Sequence, residues 1–405
     1  MSFAEWGSVR GVGSWWKRDN YMKIDYRFVA PCALEEIKAE TAAKKLSDRK
    51  LSATCYNNAV LVPSNRFIDA GVLDEAGKTI AEGAFLESCK VRHILPTEEV
   101  TYRDEVVIYL GILHNVWGHC LTDAFKKVWF LHTEECRQWL SKGAKLVFLL
   151  PDNEELRTYA RHLYELAEID LTHLVPVRVP TRFRQVIIPD NSIVGTLSKF
   201  RQWKFSYTPE FVDVFNTIKR NLSKTEVAAT EAFKKIYLTR TGIDTKGREY
   251  GEKTLETVFR KMGFQVISPE KYTLEQQYYL LSHCEELAVT EGSISHSAIF
   301  CRPGTKLILL RKSYYVNGYQ TIINEVADLD VTYIDAHRSL PEMQYAAMYG
   351  PFYMCVTPEL ERFVGHRIPH LPLWLRPSWW WFCNRNRKIV HRICNFLGYN
   401  LSWDR

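Results

Sequence analysis

The sequence predicts an α/β protein made of two doubly wound, Rossmann-like halves that face each other across a cleft. Three observations carry this expectation. From Val106 onward, short apolar runs of strand length alternate with helical periodicities of about 10–15 residues. The alternation loosens between Pro189 and about Lys234 and then resumes, so there are two series of one design. Within the second series, Glu286 to Arg311 reads as strand, glycine turn, helix and strand, a βαβ unit.

The first hundred residues are weakly periodic. Leu34 to Leu46 suits a charged helix, Ala59 to Val62 a short strand closed by Pro63, and Gly71 to Gly83 a hairpin region. They are expected to pack on the first half as an extension. Val106 to Leu110 then reads as a strand, the segment from Asn115 to about Leu140 as helical, and Lys145 to Leu150 as a strand stopped by Pro151. Glu154 to Glu168 follows as a helix, with short proline-bounded strands at Leu174 to Val177 and Val186 to Ile188.

Pro209 to Leu222 is the one helix expected in the looser stretch. The second series runs strand Lys235 to Thr239, helix Glu252 to Met262, strand Phe264 to Ser268 and helix Thr273 to Cys284. In the helix at Glu252, Leu255, Val258, Phe259 and Met262 fall on one face. Leu287 to Val289 is the next strand and ends in Thr290-Glu291-Gly292-Ser293. The helical segment Ile294 to Phe300, a Pro303-Gly304 turn and the strand Leu307 to Leu310 follow, with Val331 to Ile334 as a final strand. The resulting division is a first α/β domain with its extension over residues 1–190, a linker over 191–233, a second α/β domain over 234–350 and a tail over 351–405.

Composition limits the functional classes. With 46% hydrophobic and 25% charged residues over 405 positions, the chain is ordinary for a globular protein of about two domains. A net charge of +6 is too mild to require a nucleic-acid partner. The ten cysteines are scattered, without Cys-x-x-Cys or a Cys/His zinc spacing, and read as buried apolar residues in a reducing compartment. No secretory leader or bilayer-length apolar run is present, so a cytosolic protein is expected. The sequons at Asn221 and Asn400 are read as chance.

The tail changes character. Leu371 to Phe382 is rich in tryptophan and proline, and Arg385, Arg387, Lys388 and Arg392 interleave with Ile389, Val390, Ile393, Phe396 and Leu397. This is the composition of an interfacial segment on anionic lipid, and equally of a terminal helix packed on protein.

Three places carry candidate chemistry. His119 and Asp123 stand at i and i+4, opposite the apolar stripe of Leu121, Phe125, Val128 and Trp129. An imidazole beside a carboxylate suits deprotonation of a hydroxyl, and the same spacing also suits a solvated helix face. Thr239 and Arg240 end a strand, with Lys246 and Arg248 in the next loop; they suit a diphosphate, or pairing with Asp244, Glu249 and Glu252. The turn at Glu291-Gly292-Ser293 offers backbone N–H groups at a helix start, which suits a phosphate. Neither the P-loop nor the dinucleotide glycine pattern occurs. Asp328-Leu329-Asp330 reads as a turn and not as a metal site.

Taken in order, Gly118-His119-Cys120-Leu121-Thr122-Asp123, Tyr237-Leu238-Thr239-Arg240 with Arg248 and Glu252, and Gly263 to Glu270 through Leu274-Glu275-Gln276 to Glu291–Phe300 resemble glycosyltransferase family 61. The resemblance runs from about Tyr109 to Arg311. It implies a GT-B fold, with the first domain the acceptor side and the second binding the donor. It also implies an inverting mechanism, no essential metal and a nucleotide-sugar donor, expected to be a UDP-sugar. By the same resemblance His119 and Asp123 are catalytic, with Asp123 the first choice of base. Arg240, Arg248, Thr239, Glu291, Gly292, Ser293 and His296 are implied to hold the donor. Glu291 departs from the histidine, and His296 and Gly251 from the asparagines, found in many members.

A bacterial enzyme is expected on the inner face of the cell membrane. It would pass sugar to a glycan or lipid-linked acceptor in capsule or O-antigen synthesis, with no nucleic-acid partner. Two alternatives stay open: a non-catalytic nucleotide- or carbohydrate-binding protein on the same scaffold, and phospho-sugar transfer.

Overall fold

The computed structural model describes residues 23–42, 44–151, 155–197, 203–225, 227, 230–243, 249–338 and 352–369. In chain order the first half holds β1 (Ile24–Phe28), α1 (Leu34–Thr41), β2 (Ala53–Asn57), β3 (Val60–Val62), β4 (Gly71–Leu73) and β5 (Thr101–Ile112). It continues with α2 (Trp117–Cys120), α3 (Glu134–Ser141), β6 (Lys145–Leu149), α4 (Thr158–Leu166), β7 (Leu174–Pro176) and β8 (Thr181–Pro189). The hairpin of β9 (Ile193–Leu197) and β10 (Trp203–Tyr207) leads into α5 (Pro209–Ser223).

The second half holds β11 (Lys235–Leu238), β12 (Glu249–Tyr250), α6 (Glu252–Lys261), β13 (Gln265–Ile267), α7 (Leu274–His283), β14 (Glu286–Thr290) and β15 (Lys306–Arg311). It ends with α8 (Gly318–Val326), β16 (Asp330–Asp335), β17 (His337–Arg338), β18 (Phe352–Met354) and α9 (Pro358–Val364). The fold is therefore α/β, as the alternation predicts.

The second sheet runs β1-β16-β15-β14-β11-β13, with every pairing parallel. Successive side chains on its strands point to opposite faces, and both faces are covered. Leu287 and Val289 of β14, and Leu307 and Leu309 of β15, enter one apolar cluster that continues into the first half. Ala288, Ile308 and Leu310 enter a second cluster with Leu255, Val258 and Phe259 of α6 and Leu360 of α9. The chain enters at β11, places β13 on one side and then β14 on the other. The order reverses between β11 and β14, which is where open parallel sheets bind ligands.

The first sheet corrects the expectation of a parallel, doubly wound half. Its order is β4-β3-β8-β5-β6-β7, with β2 also on β8. Strands β8, β5, β6 and β7 are mutually parallel, but β2 and β3 join β8 antiparallel, and β4 joins β3 the same way. β5 lies between β8 and β6, so the segment leaving its carboxyl end sits at this sheet's own reversal point.

One further expectation is corrected. The opening residues divide: β2 to β4 build the first sheet, whereas β1 crosses to the edge of the second beside β16, and Ala30 N–H donates to Asp335 Oδ2 at 2.7 Å. The stretch read as a linker holds the expected helix, α5, together with the β9–β10 hairpin, whose Tyr207 bridges back to Leu46. In α5, Asn221 of the first sequon donates its amide to Leu166 O at 3.0 Å. Asp328 adopts φ 51° in a turn before β16, in keeping with its reading. The tail over 371–405, Asn400, Lys246 and Arg248 lie outside the described residues.

Candidate active site

The segment after β5 is expected to be one helix and is not. α2 lasts four residues, Thr122 departs from helical geometry at φ −138° and ψ −102°, and Asp123 opens a separate 3-10 turn, Asp123–Phe125. Side-chain chemistry holds the break. The Thr122 hydroxyl lies 2.9 Å from Gly118 O and 3.0 Å from Asp123 Oδ1, giving the backbone an alternative to a further helical turn. The i/i+4 pair still meets, with His119 Nδ1 2.7 Å from Asp123 Oδ1.

Burial separates the two partners. The Asp123 side chain is 2% exposed and that of His119 is 24% exposed. No described residue is bonded to His119 Nε2, so one ring nitrogen holds the carboxylate and the other is left for a substrate. Buried His114 stacks on His119 with centroids 4.5 Å apart, its Nε2 3.6 Å from Asp123 Oδ2. Phe67 and Phe85 meet both rings edge-on or tilted.

The electrostatics follow from this packing. Burial alone would lower the His119 pKa, but the charge and hydrogen bond of Asp123 outweigh it and hold it above the ordinary value. Burial opposes an anionic Asp123, and the charge and hydrogen bond of His119, with the charge of Lys126, overcome it, leaving the carboxyl far below its ordinary range. His114, buried and beside His119, is pushed down to about 3 and stays neutral. Lys126 is pushed down to about 8 by burial, and its ammonium donates to Ala84 O and Phe85 O.

In the second half, the residues of the glycine turn lie at the carboxyl end of β14. Gly292 adopts φ 141°, and a Cβ there would sit 2.9 Å from Lys312 Nζ. Lys312 follows β15, lies over the Phe352 ring at 4.5 Å and contacts Glu249 Oε1 at 2.5 Å. Arg240, leaving β11, meets the same oxygen at 3.0 Å. Two cations thus converge on one buried carboxylate at the reversal point. Burial would raise the Glu249 pKa, but Lys312 and Arg240 pull it below the ordinary value. Its neighbour Glu252 is pushed up to about 7 by burial and by the Glu249 charge.

The other expected donor residues are placed as follows. The Thr239 hydroxyl is taken up by Glu256 Oε1 at 2.5 Å and Thr241, which ties the turn to α6. Glu291 is buried, accepts from Asn317 N–H at 3.2 Å, and has its pKa raised by burial against the pull of Arg311 and Lys312. His296 is buried: Nδ1 lies 3.3 Å from Gly118 O and Nε2 3.2 Å from Asn317 Nδ2. This assigns the proton to Nδ1, with Nε2 accepting, and burial keeps the ring neutral by lowering its pKa to about 4. Asn317 also caps α8, accepting from Tyr319 and Gln320 N–H.

The two halves touch at this point. A Cβ at Gly118 would sit 2.9 Å from Ser293 Oγ and 3.0 Å from His296 Nδ1, so only glycine lets α2 seat against the turn. Trp117 Nε1 donates to Ser297 Oγ at 2.8 Å beside it. The imidazole–carboxylate pair and the cation-lined turn therefore occupy one neighbourhood.

Lys312, His114, Asn317 and Tyr319 did not emerge from the sequence. Lys312 alone left a readable sign, a cation directly after a strand in a parallel sheet. Ligand atoms of His114, His119 and Asp123 lie within 4.8 Å of one another, enough to offer a cation three ligands, although the Lys126 charge opposes one there. A surface cavity of about 480 Å³ lined by Phe233, Lys234, Lys235, Arg260 and Phe264 lies at the amino ends of β11 and β13, the wrong edge for this chemistry.

Fold and site together give an α/β protein in which an imidazole–carboxylate pair lies beside a turn flanked by two cations. Residues 117–308 match the family model described as Glycosyltransferase 61. The match spans a little under half of the chain and supports a member of that family, with glycosyltransferase activity in general. Among solved structures, it is similar to a D-isomer specific 2-hydroxyacid dehydrogenase family protein from Klebsiella pneumoniae 342, at 9% identity and a TM-score of 0.18. That match covers 65% of this chain and 89% of the other, and it carries no functional weight. No curated protein matches the chain.

Proposed function

We propose that the chain is an inverting, metal-independent glycosyltransferase of GT-B architecture, moving one sugar from a nucleotide-sugar donor to a glycan or lipid-linked acceptor. The observation that carries this reading is the contact of Gly118 with Ser293 and His296, which brings His119 and Asp123 beside the turn that Arg240 and Lys312 flank. His119 is the base in this reading. It is the more exposed partner with a ring nitrogen to spare, while Asp123 is buried, anionic and bonded to Nδ1.

His119 Nε2 takes the proton of the acceptor hydroxyl as its oxygen attacks the anomeric carbon. The bond from that carbon to the diphosphate breaks on the opposite face, and the diphosphate leaves with the bonding pair. Asp123 fixes the tautomer and stabilises the imidazolium. Arg240, Lys312 and the turn's N–H groups stabilise the leaving diphosphate with fixed positive charge, in exchange for their hold on Glu249.

The donor is taken to be a UDP-sugar, and the setting to be capsule or O-antigen synthesis at the inner face of the cell membrane. The basic, tryptophan-rich composition over 371–405 supports the membrane part of this reading. No helix among the described residues is long and apolar enough to cross a membrane. The test is turnover of UDP-sugars by the full chain, as transfer or as hydrolysis. His119→Ala should lower kcat by roughly 10²–10⁴-fold. Unchanged turnover in that variant would remove His119 from the chemistry.

A further inference from the structure

Tyr319 belongs to the second half, near the start of α8, yet its ring is set against both cleft histidines. Its centroid lies 6.2 Å from that of His119 and 6.3 Å from that of His296. The ring stacks on Phe205 at 3.9 Å, so its position is fixed by packing. The hydroxyl is buried and makes no hydrogen bond of good geometry, although it lies close enough to the Asp123 carboxylate to interact with it. A buried hydroxyl without a well-formed bond is rare, because it forfeits its bonds to water without replacing them.

A matching acceptor lies beside it. Asp123 Oδ1 is engaged by His119 Nδ1 and Thr122 Oγ1. Oδ2 has only His114 Nε2 at 3.6 Å, beyond hydrogen-bond distance, and that nitrogen is itself unpartnered. After burial, the Asp123 carboxylate is the strongest influence on the Tyr319 phenol and pushes its pKa further up. The phenol is therefore a neutral donor at any pH of interest.

We propose that Tyr319 is a positioning residue of the transfer reaction, its O–H donating to the Asp123 carboxylate and so completing the catalytic pair from the opposite half of the molecule. The inference rests on the reading in which His119 is the base. A hydrogen bond to the carboxylate disperses its charge and loosens its hold on the His119 proton. The residue that tunes the base thus comes from the half that holds the donor, and the pair is complete only when the halves meet. The other ionisable groups that face the pair or the phenol are His114, Lys126, His296, Tyr315 and Cys89.

The test is Tyr319→Phe in the full chain, which keeps the ring and removes one oxygen. The readout is the His119 imidazole titration followed by NMR, without substrate and with UDP as the probe. In the variant His119 should titrate about half a pH unit higher, because the undispersed carboxylate holds its proton more tightly. Thermal unfolding should stay within about 2 °C of the parent, since removing one buried oxygen leaves the ring packing intact. Coincident His119 titrations in a folded variant would overturn the proposal. The two readings fail separately: a gap in the free protein that survives while UDP shifts neither curve upholds the Tyr319 contact and counts against the nucleotide reading.

Discussion

At the residue scale, burial divides the roles of His119 and Asp123. The carboxylate is sealed and held anionic by its neighbours, while the imidazole keeps one face toward the site and a raised pKa. As a base, His119 works only when neutral, so turnover should rise with pH through a pKa above about 6.5. Asp123→Asn removes the charge that lifts that pKa, and burial then pulls it down. The acid limb of the kcat profile should move below about pH 6.5 while the plateau falls roughly 100-fold. An acid limb that stays in place would show that another group titrates.

The same pair contributes to stability with opposite signs. The raised His119 stabilises below about pH 6.5 and loses that contribution as pH rises through its folded pKa. The depressed Asp123 stabilises above about pH 3.9 and loses it as pH falls toward its own folded value. Their joint contribution is largest between those two limits.

At the element scale, a single backbone position anchors α6. Gly251 caps α6 at φ 87°, and a Cβ there would lie 1.9 Å from Met354 O of β18. This explains why asparagine, which tolerates a positive φ, is not found here: the backbone of β18 leaves no room for a side chain. Gly251→Ala should destabilise the chain by at least ~1–3 kcal/mol, seen as a lower urea midpoint with an unchanged slope. A midpoint equal to the parent's would mean that β18 gives way freely.

Elements were legible where local signals agreed. The helices α5, α6 and α7 and the strands β6, β11, β14 and β15 lie within a few residues of their apolar patterns, because periodicity, proline and capping residues point the same way there. In α7, Thr273 and Gln276 form a complete capping box. The break between α2 and Asp123 was not legible, because it depends on a threonine hydroxyl choosing Gly118 O and Asp123 over solvent. The crossing of β1 to the second sheet and the antiparallel edge of the first are decided by long-range pairing, which leaves no local trace. Among the site residues, His119, Asp123, Arg240 and the Glu291–Ser293 turn stood out through charge and glycine at element ends. Tyr319 and His114 resemble ordinary aromatic core residues until the packing is known.

At the scale of the whole molecule, the account depends on two reversal points brought into contact, one at the end of β5 and the other between β11 and β14. Calorimetric binding of UDP to the full chain tests that claim most directly, comparing the parent with Arg240→Ala, Lys312→Ala and His119→Ala. Each cation variant should weaken binding by about tenfold or more, given the 1.5–3 kcal/mol typical of a charge-assisted hydrogen bond, and His119→Ala should bind almost as the parent does. Binding that ignores Arg240 and Lys312, or no binding by the parent to UDP or any other nucleoside diphosphate, would contradict the account.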